Sequence, residues 1–225
     1  MELIIFTVLG FGFLLGLKHA LEADHVVAVS TIISQTKNFK KSLVLGAIWG
    51  IGHTTTLFIL GIFVLVFKLN IPEKFSLSFE LLVGFVLIVL GVEIMYKQFI
   101  KKKHKHIHKH KNFSHSHEHT HKKSLEHNHK HKSFLLGLLH GLAGSGALML
   151  LVVASINSIM QGLIFILIFG FGSILGMVLV SGLIATPIIF TSKAGKIERI
   201  IQIIAGCLSI LIGIVLIANI LPNLL

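Results

Sequence analysis

Cysteine is nearly missing from this sequence: Cys207 is the one thiol in 225 residues. A single thiol closes no internal disulfide and supplies no CxxC pair or thiolate metal cluster. A thiol–disulfide electron carrier built from two repeats needs a cysteine in each, so that activity is excluded as well. Charge is also scarce. Charged residues make up 13% of the chain, against roughly 25% in soluble domains, which excludes an ordinary soluble fold. No Gly-x-x-x-x-Gly-Lys-Ser/Thr loop is present, so ATP hydrolysis by such a loop is excluded. The start, Met1-Glu2, lacks a basic stretch, and no small-residue cleavage site follows. Residues 1–17 are therefore expected to be a first membrane helix and not a cleaved signal.

What is abundant is apolar: 54% of residues, with a mean hydropathy of +0.89. These residues are bunched into segments 3–17, 42–67, 77–96, 134–155, 159–190 and 197–221. A helix needs about 20 residues to cross a ~30 Å hydrocarbon core. Only helices and closed barrels satisfy their backbone in lipid, and uninterrupted apolar runs lack the alternation of a barrel. The expected fold is all-α and integral to the bilayer, with six transmembrane helices.

The net charge of +11 could suggest a nucleic-acid partner, but its distribution excludes one. Lysines and arginines concentrate in three connections, Lys37 to Lys41, Lys97 to Lys132 and Lys193 to Arg199. The alternate connections hold only Lys68 and Lys74. Basic loops that alternate in this way mark the cytoplasmic side. The expected location is the plasma membrane, with both termini outside and the 100–133 connection in the cytoplasm.

The chain also repeats itself. Phe13-Leu-Leu-Gly-Leu17, followed by His19, recurs as Phe134-Leu-Leu-Gly-Leu138, followed by His140. Gly50-Ile-Gly52-His53 matches Gly170-Phe-Gly172-Ser173, and Gly84 and Gly91 match Gly206 and Gly213. The offsets are nearly constant, so the three helices of one half align in order with those of the other. Three spans per copy predict two copies inverted in the membrane, an architecture recurrent among secondary transporters. The expected division is a first three-helix repeat at 1–99, a flexible His-rich loop at 100–133 and a second repeat at 134–225. Gly46-x-x-x-Gly50, Gly137-x-x-x-Gly141 and Gly172-x-x-x-Gly176 are small-residue patterns suited to close helix packing.

The segment Lys18-His19-Ala20-Leu21-Glu22-Ala23-Asp24-His25 lies between apolar residues 3–17 and 26–33. A straight helix over 3–34 would be about 48 Å long, so a break near these residues is expected. Ionisable groups at membrane depth cost several kcal/mol unless paired or liganded, and so they mark function. A regular helix would offer His19, Glu22 and His25 on one drifting stripe; an unwound turn would join His19, Asp24 and His25 instead. Imidazole with carboxylate suits Ni²⁺, Co²⁺, Cu²⁺ or Zn²⁺ and not Mg²⁺ or Ca²⁺. Glu80 and Glu93, near the ends of the third helix, are expected at the interface.

Residues 100–133 hold eleven of the fifteen histidines: His104, His106, His108, His110, His115, His117, His119, His121, His127, His129 and His131. A tract of this composition is expected to be a flexible cytoplasmic arm that binds transition metals through neighbouring imidazoles. His117-Glu118-His119-Thr120-His121 fits the H-E-x-x-H protease pattern, but that chemistry needs a helix holding both histidines on one face. In so His-rich a tract the match is expected by chance.

His19-x-x-x-x-Asp24-His25 resembles the H-x-x-x-x-D-H signature of the nickel/cobalt transporter family, and Gly52-His53-Thr54-Thr55 resembles its second motif. The length and His140-Gly-Leu-Ala-Gly-Ser145 are similar to the shorter, urease-accessory-type branch. The resemblance implies a metal site of His19, Asp24, His25 and His53, with Glu22, Thr54 and His140 as supplementary candidates. Longer members carry Asp/Thr/Glu-rich motifs in their second half, where this chain has Gly144-Ser145-Gly146 and Ser173-Ile174. The second half then supplies at most His140 and hydroxyls. The expected function is non-enzymatic: a permease for Ni²⁺ or Co²⁺, with uptake favoured over efflux and over a sensor or store. The ion is cargo and no cofactor is expected. The bilayer and a cytoplasmic metal chaperone are the expected partners.

Overall fold

The computed structural model describes residues 2–68, 72–99, 106–110, 113–117, 125–141, 153, 156, 158–191 and 195–224. The first apolar segment is broken, as its length requires. Helix α1 (Glu2–His19) ends in a tight turn in which Leu21 N and Glu22 N donate to Lys18 O and His19 O. Glu22 is extended, with ψ at 146°, and Val26 N donates back to Glu22 O to restart the chain as α2 (Ala23–Ile33). Asp24 lies in the first turn of α2, where a negative charge complements the helix dipole. Next comes α3 (Phe39–Phe67), capped by the Asn38 side chain, which accepts from Lys41 N. It closes on Lys68 in the left-handed region, at φ 49°. Then follow α4 (Glu73–Phe99), α5 (Leu125–His140), α6 (Ile159–Thr191) and α7 (Gly195–Leu224).

Four helices among the described residues, Phe39–Phe67, Lys74–Phe99, Ile159–Phe190 and Ile197–Leu224, are long and apolar enough to cross a membrane. The chain is an all-helical, multi-pass membrane protein in its apolar parts. Its outer surface carries bare apolar side chains such as Phe190, Leu183 and Phe171, which lipid can cover and water could not. The fourth expected span, 134–155, begins earlier than its apolar run. Helix α5 extends back into the His-rich connection as far as Leu125. Ser133 Oγ donates to Leu45 O and Lys132 pairs with Glu93, which holds this first part of α5 against α3 and α4. Residues 142–152 lie outside the described residues.

Within the His-rich connection, where composition predicts a flexible arm, the structure has a two-stranded antiparallel hairpin. Strand β1 (His106–His110) pairs with β2 (Phe113–His117), with His106 in register with His117 and His108 with His115. His104, His119 and His121 lie outside the described residues.

Helix α4 packs along α7, α3 along α6, α1 against α6 and α5 against α3. The closest approaches are between backbones. A methyl group on Gly16 would stand 2.0 Å from Phe169 O, and one on Gly172 would stand 2.3 Å from Phe13 O. The α5–α3 pair repeats this crossing: a methyl on Gly137 would lie 2.2 Å from Trp49 O, and one on Gly52 would lie 2.4 Å from Phe134 O. Between α4 and α7, Gly84 meets Gly213 and Gly91 meets Gly206. Small residues allow this because contact area, and not a hydrophobic drive, holds helices together in lipid.

Candidate metal centre

The break at residues 20–22 decides the site. On one continuous helix His19 and His25 would drift apart around the axis; the turn folds them together, with ring centroids 4.5 Å apart. His53, in the middle of α3, joins them at 4.7 Å from His19 and 5.2 Å from His25. His140, at the end of α5, stands 5.0 Å from His25 on the side of Trp49. All four imidazoles are buried, His25, His53 and His140 completely.

The carboxylates sit behind the rings. Glu22 Oε2 is 3.1 Å from His19 Nδ1, and Asp24 Oδ1 is 3.1 Å from His25 Nδ1. A carboxylate on Nδ1 fixes the ring with its Nε2 lone pair outward, which is how metal-binding histidines are oriented. His19 Nε2 and His53 Nε2 are 2.9 Å apart. His25 Nε2, His53 Nδ1 and both nitrogens of His140 have no hydrogen-bond partner. A buried polar atom without a partner is destabilising by about 1–3 kcal/mol, and here several converge. One ligand atom from each of His19, His25 and His53 lies within 4.8 Å of the others, and the same holds for Glu22, Asp24 and His25. Bonds from imidazole to a transition metal are about 2.0–2.1 Å, so small ring movements would close either set on an ion.

Of the alternatives left open by spacing, the structure realises a mixture. His19 and His25 meet as an unwound turn requires, yet Glu22 remains with His19 and Asp24 lies behind His25. Asp24 Oδ2 is 3.9 Å from His140 Nε2, so this carboxylate also faces the second half of the chain. Thr54 is not brought in: its hydroxyl donates to Gly170 O across the α3–α6 contact, at 3.3 Å. Glu93 lies apart from the cluster, with Lys97 and Lys132. Sequence reasoning missed the aromatic walls, Phe169 at 5.5 Å from His19 and Trp49 at 5.2 Å from His140. Their signal was positional, since Trp49 and Phe169 each stand four residues before the matched pair His53 and Ser173. The Ser173 hydroxyl is buried and without a partner.

Residues 26–215 match the family described as the cytochrome C biogenesis protein transmembrane region. The chain is also 38% identical over 210 residues to the urease accessory protein UreH of Bacillus sp. (strain TB-90), covering 93% of this chain and 90% of that one. The chain belongs to both families. No solved structure matches it. The urease-accessory resemblance read from the motifs is thus supported, whereas the matching family description is that of a cytochrome C biogenesis region and not of a nickel/cobalt transporter. Cys207 is the chain's single cysteine and is exposed.

Proposed function

We propose that the chain is a secondary transporter that carries Ni²⁺ or Co²⁺ across the plasma membrane, in the direction of uptake. One observation carries the reading: four buried imidazoles, from α1, α2, α3 and α5, converge inside a membrane protein, and His25 Nε2, His53 Nδ1 and the nitrogens of His140 have no hydrogen-bond partner. Imidazole donors suit these ions. Two carboxylates behind the rings balance a divalent charge in a medium where an unbalanced one would be expelled. His19, His25 and His53 hold the ion, with His140 facing it; Glu22 and Asp24 orient the rings and neutralise it. The urease-accessory relative accords with the motif resemblance to nickel/cobalt carriers.

Six spans in two inverted copies is the architecture that accords with this role, with termini outside and the His-rich connection in the cytoplasm. The paired glycine crossings of α1 with α6 and α5 with α3 support it, because each is the other's counterpart in the sequence repeat. A divalent ion moving inward gains about 4.6 kcal/mol per 100 mV of inside-negative potential, enough to drive uptake without a second ion. The His-rich connection receives the ion after passage, to hand it to a cytoplasmic metal chaperone. No chemistry is performed on the cargo.

The test is Ni²⁺ influx into proteoliposomes, with and without an inside-negative potential, for wild type and His25→Ala. Voltage-driven influx lost in the variant is expected. Flux only against an opposing proton gradient would make the protein an exporter, and no flux under either condition would leave a sensor or store.

A further inference from the structure

Helix α2 carries Asp24 and His25 at one end and a network of polar side chains at the other. Ser34 follows its last turn, where helix carbonyls lack intrahelical partners. Gln202 Nε2, on α7, donates to Ser34 O at 2.7 Å, and the Gln202 carbonyl accepts from Gln98 on α4. Beside it, Lys97 Nζ donates to Gln35 Oε1 at 2.8 Å and to Glu93 Oε1 at 2.6 Å. Gln202 is buried, and on α7 it stands between the pairs Ile200–Ile201 and Ile203–Ile204. A buried amide in such a setting is tolerated only when its hydrogen bonds are met, and Gln202 meets them by joining the end of α2 to α4.

Alongside α2 is a cleft of about 190 Å³, walled by Val27, Ser30 and Ser34 on one side and by Ile184, Ala205 and Leu208 on the other. The cleft opens toward the lipid side, where Ile204 and Leu208 are exposed, while the opposite face of α2 is packed in the core, so α2 has room to move on one side. Its other boundary is the break at residues 20–22. A short helix with a hinge at one end, a clasp at the other and open space beside it can rock.

We infer that α2 is the moving gate of the carrier and that Gln202 is the positioning residue that latches it; this rests on the transport reading above. Eleven helical residues span about 16 Å. A tilt of about 15° about the break would move the Ser34 end by about 4 Å and His25 by about 1 Å. Metal–ligand bonds tolerate about 0.2 Å, so that small displacement releases the ion. The latch bonds sit at the helix end, where water can replace them when the gate opens.

The experiment places cysteines at Ser30 and Ala205, small residues on opposite walls of the cleft, in a full-length Cys207→Ser background. A short bifunctional thiol reagent then bridges them in proteoliposomes. Ni²⁺ influx is expected to fall more than tenfold on bridging and to return on reduction. Unchanged influx in the bridged protein would overturn the gate. Gln202→Leu provides the second reading: a change of at least threefold in kcat with KM for Ni²⁺ within twofold is expected. Wild-type kinetics, or a raised KM with kcat kept, would overturn the latch. Wild-type protein that carries no Ni²⁺ would remove the transport reading and this one with it.

Discussion

His19 Nε2 and His53 Nε2 approach to 2.9 Å across the contact between two separate helices. Two ring nitrogens this close, in a buried site, either share one proton or share one ion. If they share an ion, their contributions are not separable. His19→Ala and His53→Ala should each lower Ni²⁺ influx at least 100-fold, and the double variant should be no worse than either single one. Strictly additive losses in that cycle would show that the two rings serve different steps.

The carboxylate behind a ring has a milder role than the ring. His25→Ala should abolish influx. Asp24→Asn, which weakens the hold on His25 Nδ1, should raise KM for Ni²⁺ by about 10–100-fold. Thr54→Val should leave influx within about twofold, because its hydroxyl serves a helix contact worth roughly 1 kcal/mol. Flux kinetics on the three variants check this ordering, and a Thr54→Val variant as impaired as His25→Ala would contradict it.

The His-rich connection is proposed as a receiver, separate from the pathway. Deleting residues 104–131 should change the apparent affinity or the capacity for Ni²⁺ while turnover persists. Initial rates across a range of Ni²⁺ concentrations measure both. Complete loss of flux in the deletion would put the connection inside the pathway.

Packing gives a prediction independent of metal. Gly137→Ala drives a methyl to within 2.2 Å of Trp49 O, whereas nothing lies within 4 Å of a methyl on Gly10. Overpacking of this kind is destabilising by about 1–3 kcal/mol. Thermal unfolding in detergent should show a clear fall in Tm for Gly137→Ala and almost none for Gly10→Ala.

Much of this was legible beforehand, for physical reasons. Apolar run length fixed the helical class, because lipid leaves the backbone few alternatives. The break at residues 20–22 followed from the mismatch between 3–34 and the bilayer. Scarcity of ionisable groups at depth singled out the His19–His25 stretch, and the motif resemblance joined His53 to it. What the sequence could not reveal was which atom of each residue faces inward. Asp24 reads as a ligand by the resemblance, and it stands with Oδ1 at His25 Nδ1 and Oδ2 toward His140. Thr54 bonds a carbonyl of α6, because hydroxyls bond helix carbonyls as readily as ions. The early start of α5 was hidden by a composition that favours solvent, and it is held by Ser133 and Lys132 after folding.

The glycine crossings have a mechanical consequence. Where side chains line a contact, rotamer changes act as a cushion, and one helix can shift while its neighbour stays in place. At Gly16, Gly52, Gly137 and Gly172 peptide groups abut peptide groups, and there is no cushion. The α1–α6 and α3–α5 couples are therefore expected to turn as meshed gears, each tooth a carbonyl, and among the described helices α2 is the one that no such tooth engages.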